Sequence, residues 1–218
     1  MSGLTVGILG CGKMAGRHLG ALKALAPEAS VVLYDPVAEA AEGLAGGYDD
    51  SVTAVASPDE LFATPGLNAV LVLTPTPSHA DYVIRALEAD AHVLCEKPLA
   101  MDEDEVRAIG AALEAAGARA REAGRPEPVL QVGYLYRYME PMRAARRVLD
   151  SGALGEVRSA LFRLGGRGNA SAWKHGRGSG GGALREMAVH ELDTALWLFG
   201  DLELGAVLEK DLLQTTRT

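Results

Sequence analysis

Gly7-Ile8-Leu9-Gly10-Cys11-Gly12-Lys13-Met14-Ala15-Gly16 joins the end of an apolar run to the start of a helical one, and its reading decides the fold. The pattern is G-x-G-x-x-A, with Gly10, Gly12 and Ala15 in the three small positions. Gly10 serves a tight turn, Gly12 lets the backbone approach a pyrophosphate, and Ala15 keeps the helix close to the strand. The N–H groups of Gly12, Lys13 and Met14, with Cys11 in the turn, then sit where a helix N-terminus receives an anion. The same small residues also suit a turn that serves packing alone, so the motif takes its weight from its surroundings.

Working outward, short β-branched and aliphatic runs alternate with longer helical patterns, which predicts a parallel sheet with crossover helices. Strands are expected at 4–9, 31–34, 52–55, 69–74, 92–95 and 129–132, the central ones apolar enough to be buried on both faces. Ser57-Pro58-Asp59-Glu60 has the order of a capped helix start, and Pro65-Gly66 follows as its stop. Asp102-Glu103-Asp104-Glu105 concentrates acid where it favours the positive end of a helix dipole. Six strands with five crossovers make a doubly wound unit of the α/β class.

The second strand ends at Tyr34-Asp35, about 20 residues past the glycines, where a carboxylate can accept from adenosine ribose hydroxyls. It would repel a 2′-phosphate and no arginine adjoins it, so NAD is favoured over NADP. Asp35 is followed by Pro36, however, and can equally serve as a cap for the next helix.

Beyond Gly133 the pattern changes, so the chain divides into a nucleotide-binding domain, 1–133, and a different, second domain, 134–218. The second part is expected to hold a Tyr- and Arg-bearing stretch, 134–138, a helix to about 149, a Ser151-Gly152 turn and a strand at 157–164. A glycine-rich loop follows at 165–182, long enough to be a binding loop or a lid, then a helix over 183–199.

Composition narrows the function classes. With 26 glycines in 218 residues, the content is well above the usual ~7%, which asks for backbone freedom somewhere. The net charge of −8 opposes binding to nucleic acid or anionic membranes. No apolar run approaches the ~18–20 residues of a membrane-spanning helix, and the N-terminus lacks the features of an export signal, so a cytoplasmic location is expected. Cys11 and Cys95 are too few for a disulfide framework or a zinc site.

Three further segments accompany the glycine loop: Thr74-Pro75-Thr76-Pro77-Ser78-His79, Cys95-Glu96-Lys97-Pro98-Leu99, and Glu186-Met187-Ala188-Val189-His190 running on to Asp193. Together with the loop they resemble the glucose-fructose oxidoreductase and inositol dehydrogenase (Gfo/Idh/MocA) family, in order and over most of the chain. The resemblance implies a Rossmann domain followed by an α+β domain with a mostly antiparallel sheet. It implies hydride transfer between NAD(P) and a carbinol carbon of a sugar, polyol or sugar nucleotide, with Lys97 and His190 catalytic and Glu186 coupled to His190. It also sets Thr74, Pro75, Thr76, His79, Glu96 and Lys97 against the cofactor.

That assignment is chemically sound. Oxidising a carbinol requires a group to take the hydroxyl proton, which suits histidine, and a nearby lysine can stabilise alkoxide character. Glu186 and His190 are four apart on an expected helix and so share a face. Adding Asp193 gives a face that could be read as metal-ligating, but no further cluster completes a ligand set, so no metal is expected. Tyr136, Arg137, Trp173 and Lys174 are the best substrate contacts, since aromatic faces and cationic donors suit sugar rings and anionic groups, although ordinary surface roles fit them too. His18 and His92 read as packing or surface residues.

The chain departs from the family pattern in having Glu186 where Asp is commoner, Ala188 where glycine is frequent, and an end at Thr218 where relatives continue. That end withholds most of the second sheet and the usual oligomer interface, leaving self-association open. Two functions therefore stand: an NAD(P)-dependent dehydrogenase, or a catalytically idle nucleotide-binding protein acting as a cofactor sensor or a truncated remnant.

Overall fold

A computed structural model describes residues 3–163, 187–203 and 205. Six strands form one parallel sheet: β1 (Thr5–Leu9), β2 (Ser30–Tyr34), β3 (Val52–Ala54), β4 (Leu67–Val72), β5 (His92–Cys95) and β6 (Leu130–Val132). Their order is β3-β2-β1-β4-β5-β6, with every neighbouring pair parallel. All six expected strands are present, within two residues at each end. The chain reverses its direction of travel between β1 and β4, and loops at the carboxyl ends of those strands flank a crevice there.

Period-two alternation sorts the strand side chains onto the two faces. Val6 and Ile8 of β1 and Val31 and Leu33 of β2 pack with Ala15 and Leu19 of α1 (Lys13–Leu25) and Ala41 of α2 (Ala38–Ala45). Leu9 and Val32 point the other way, with Val70 and Val72 of β4, toward Leu61 of α3 (Pro58–Phe62) and Val83 and Leu87 of α4 (His79–Glu88). The long α5 (Glu103–Glu122) covers the same face with Ile109 and Ala116. Strands buried on both sides explain why the sequence runs were apolar without interruption.

Helix starts follow local chemistry. Ser57 Oγ accepts from Glu60 N at 3.2 Å while Glu60 Oε2 accepts from Ala56 N at 3.1 Å. Asp102 and Glu105 repeat the arrangement, Asp102 Oδ1 accepting from Glu105 N at 2.9 Å and Glu105 Oε2 from Met101 N at 2.7 Å. Each exchange satisfies amides that a helix start leaves bare, at about 1 kcal/mol per cap.

After β6 comes a short 3-10 turn (Leu135–Tyr138), then α6 (Glu140–Asp150) and α7 (Val189–Phe199). The 157–163 stretch, expected to be a strand, has no strand pairing, so among the described residues the second part holds helices only. An alternating sequence predicts a strand only where a partner edge is offered. The glycine-rich loop and the first residues of the helix expected at 183–199 lie outside the described residues, as does most of the C-terminal tail.

Candidate active site

The turn after β1 is shaped around Gly10. Its φ of +91° is left-handed, and a Cβ there would lie 2.9 Å from Leu73 C, Leu73 O and Thr74 N. Its N–H reaches across to Tyr34 O at 2.8 Å. Gly12 differs: a Cβ on it would meet nothing within 4 Å. It is the N-cap of α1, where no side chain caps the helix and no acid occupies the first turn. Open space before an uncapped helix N-terminus carrying Lys13 and Met14 is the cradle that a pyrophosphate fits.

Asp35 directly follows β2, and it is not the cap of α2, whose N-cap is Val37 without a side-chain hydrogen bond. Oδ2 accepts from Cys11 N at 2.8 Å and Oδ1 from Val37 N at 2.9 Å. It thus ties the glycine loop to the entry of α2. Each carboxylate oxygen has a second lone pair, so these two hydrogen bonds leave room for a ribose contact. Cys11 is buried against this carboxylate, and burial, with the Asp35 charge, pushes its thiol up to about 12.

The carboxyl ends of β4 and β5 carry the next two segments. Thr74 leads through Pro75 into a 3-10 turn (Thr76–Ser78) that runs on into α4. Ser78 Oγ donates to Thr74 Oγ1 at 2.8 Å, and Thr76 is buried. The His79 ring lies inside, its Nδ1 2.7 Å from Pro98 O and its Nε2 2.8 Å from Thr74 O. Lys97-Pro98 is a cis peptide.

Glu96 is held on both oxygens. Oε1 lies 3.3 Å from His18 Nε2, and Oε2 accepts from Lys97 N at 3.3 Å. Burial opposes its charge, but the hydrogen bonds from His18 and the Lys97 amide and the charges of those residues outweigh it, so its carboxyl lies below the usual range. A Cβ at Gly133 would stand 3.4 Å from the same carboxyl, so the start of the chain beyond β6 lies against Glu96. His18 is a site residue that sequence reading assigned to packing or surface. Its one sequence signal is position, a single turn beyond Met14 on the helix that opens at the glycine loop.

α7 brings the second part of the chain to the 3-10 turn after β6. The ring of His190 stacks on Tyr136, centroids 4.8 Å apart and planes at 21°. Arg137 grips Asp193 bidentately, Nε to Oδ2 at 2.9 Å and Nη2 to Oδ1 at 2.5 Å. Asp193 is 6% exposed, so the pair clamps α7 in place. Arg137, expected to meet substrate, engages this carboxylate through Nε and Nη2. Burial, followed by the charge of Asp193, raises the pKa of the neighbouring Tyr134 hydroxyl.

A cavity of about 380 Å³ opens beside the stack, lined by Tyr136, Met139, Met142, Phe162, Glu191 and Thr194 among others. Among the described residues no three His, Cys, Asp or Glu side chains converge as metal ligands. Glu186, Trp173 and Lys174 lie outside the described residues. No helix among the described residues is long and apolar enough to cross a membrane.

The architecture and these segments agree with comparisons to known proteins. Residues 4–123 match the family model described as the oxidoreductase family, NAD-binding Rossmann fold, and 142–207 match the GFO/IDH/MocA C-terminal domain. The chain belongs to the Gfo/Idh/MocA family of oxidoreductases. Its N-terminal part is accordingly an NAD-binding Rossmann fold.

Within the family, it is 30% identical over 195 residues to inositol 2-dehydrogenase of Rhizobium meliloti (strain 1021), covering 89% of this chain and 54% of that protein. It is 31% identical over 210 residues to inositol 2-dehydrogenase 2 of Mycolicibacterium vanbaalenii, covering 95% and 56%. Among solved structures, a 3-ketoreductase from Actinomadura kijaniata, in complex with NADP and TDP-benzene, superposes with a TM-score of 0.74 at 27% identity, covering 91% of this chain and 58% of that one. Levoglucosan dehydrogenase with NADH and levoglucosan superposes at 0.72 and 25% identity, covering 92% and 55%. The chain thus spans a little over half the length of the relatives it matches.

Proposed function

We propose that this Gfo/Idh/MocA member is an NAD-dependent dehydrogenase acting on a carbinol group of a sugar or polyol, with a division of labour between residues 1–133 and 134–218. The observation that carries the reading is the convergence at the carboxyl end of the sheet. The open Gly12 cradle, Asp35, the 74–79 turn and the Glu96-Lys97-Pro98 loop occupy neighbouring strand ends, joined by hydrogen bonds. The names of its relatives, which act on inositol or levoglucosan, favour a polyol or sugar substrate.

A bound nicotinamide dinucleotide supplies the hydride acceptor or donor. The Gly12, Lys13 and Met14 amides would hold its pyrophosphate and the Asp35 carboxylate its adenosine ribose, which selects NAD over NADP by repulsion of a 2′-phosphate. Lys97, fixed at the backbone by Glu96, would stabilise oxyanion character at the reacting carbinol. His190, with its ring oriented by Tyr136, would exchange the hydroxyl proton, and Glu186 would tune it. Tyr136, Trp173 and Lys174 would contact the sugar, and Arg137 would serve by holding α7 through Asp193. The antiparallel character of the second domain belongs to the same proposal.

Calorimetric titration with NADH and NADPH, followed by a screen of inositols, sugars and other polyols for NAD reduction, tests this reading. We expect preference for NADH, and turnover that falls by at least about 100-fold in Lys97→Ala, the scale of a lost proton-transfer or oxyanion partner. Dinucleotide binding with no turnover on any substrate would favour the idle, sensor-like alternative. Absence of binding would overturn the reading.

A further inference from the structure

His79 is the first residue of α4, 1% exposed, with both ring nitrogens against backbone carbonyls: Nδ1 with Pro98 O at 2.7 Å and Nε2 with Thr74 O at 2.8 Å. A carbonyl oxygen only accepts, and a neutral imidazole carries a single N–H. One of the two contacts would then set a bare lone pair against a carbonyl oxygen at hydrogen-bonding distance. That is repulsive, and it strands two buried polar atoms. An N–H on each nitrogen turns both contacts into charge-assisted hydrogen bonds, which oppose the cost of burying the charge.

The two carbonyls belong to different loops. Thr74 follows β4 and Pro98 follows β5, adjacent strands whose register pairs Val72 with Cys95. Pro98 directly follows Lys97, and the backbone at Leu73 and Thr74 is the surface against which Gly10 is packed. The imidazole therefore spans the gap between the 74–78 turn and the loop that carries Lys97, on the opposite side of β1 from Asp35 and hence from the adenosine ribose.

We propose that His79 is a positioning residue that donates from both ring nitrogens, bracing the 74–78 turn against the Lys97 loop and so shaping the nicotinamide half of the dinucleotide site. This rests on the dinucleotide reading above. With both nitrogens occupied, the ring has no free one to offer a substrate, so His79 acts through the two loops and is not a second catalytic histidine. Asp35 and Gly12 serve the other half of the site, and their geometry does not depend on this brace.

Two measurements on the full 218-residue chain test it. The first is 15N NMR of the histidine side chains at neutral pH, with the His79 signals assigned by their loss in His79→Gln. Both His79 nitrogens should show protonated-type shifts, and one unprotonated nitrogen would overturn the double-donor claim. It needs no variant to be active. The second is titration of the wild type and His79→Ala with NADH and with ADP-ribose, which lacks the nicotinamide. Loss of both contacts in His79→Ala should weaken NADH binding about tenfold or more, with ADP-ribose changed less than about twofold. His79→Gln, which keeps a donor, should recover part of the NADH loss. Equal weakening of both ligands, or of neither, would overturn the positioning role. A wild-type chain that binds neither ligand would instead remove the dinucleotide reading, and the positioning role with it, leaving the ring-nitrogen result to stand alone.

Discussion

The two motif glycines should fail in opposite ways when each is replaced by alanine. At Gly10 the new Cβ would have to sit at φ +91°, and it would press at 2.9 Å on Leu73 C, Leu73 O and Thr74 N. The left-handed backbone costs an L-residue about 1–2 kcal/mol. Overlap with three backbone atoms, which cannot swing aside as a side chain would, adds about 1–3 kcal/mol. Alanine returns about 0.4–1 kcal/mol by restricting the unfolded chain, so Gly10→Ala should destabilise by about 1–5 kcal/mol. Against a typical stability of about 5–15 kcal/mol, that is a large fraction. At Gly12 there is no left-handed φ and nothing within 4 Å of the Cβ, so its alanine variant should lie within about 1 kcal/mol of wild type. It should nevertheless lose about 10- to 100-fold in NADH affinity, because the methyl would occupy the space where the pyrophosphate meets the backbone. Urea titration gives the first number for each variant and calorimetry the second. Gly10→Ala destabilised by less than about 1 kcal/mol, or Gly12→Ala binding NADH like wild type, would refute the reasoning at that position.

Three more expectations follow from the same geometry. Arg137→Ala leaves the buried Asp193 carboxylate without its bidentate partner and should cost about 3 kcal/mol, with faster amide exchange along α7; Asp193→Asn in the same background should restore part of it. Both thiols should resist a thiol reagent in the native state and react in urea, because burial and then Asp35 raise Cys11, while burial and then Glu96 raise Cys95. Glu96 has a depressed folded-state pKa, so it adds stability that is present above the unfolded carboxylate value near 4.3 and lost as the pH falls through its lower folded value. Glu96→Gln should therefore flatten the acid limb of a stability profile, which chemical denaturation at a series of pH values would reveal.

Most of the nucleotide-binding half was legible because local rules and global fold agree there. The strand runs of β1, β2, β4 and β5, the Ser57 and Asp102 caps and the Gly10 turn each depend on residues close in sequence. What could not be read depends on closure between distant segments. Nothing in the neighbourhood of His18 announces Glu96, 78 positions away, and nothing near Arg137 announces Asp193, 56 away. The donor fork of Arg137 suits an anionic or sugar partner in the sequence, and in the fold that fork serves a carboxylate supplied by α7. The strand expected at 157–164 likewise depends on distant chain, since alternation describes a surface suited to pairing and cannot supply the partner, and 157–163 have none among the described residues.

The polar side chains at the carboxyl end of the sheet share one mechanical role. A parallel sheet gathers its carboxyl-end loops at one edge, but the ladder hydrogen bonds stop at the last paired residues, so nothing in the sheet fixes one loop against the next. Here each seam is closed by a polar side chain from a neighbouring segment. Asp35 joins the β1 and β2 loops, His79 joins the β4 and β5 loops, and Glu96 joins the β5 loop to α1 through His18. Each linking residue is partly or fully buried, where a hydrogen bond is stronger than in water and a broken one more costly. A hydride transfer tolerates little error in the separation of donor and acceptor carbons, and misplacement by about 1 Å costs about 100-fold. Side chains that never touch the reacting atoms can therefore govern the rate by holding these loops in register.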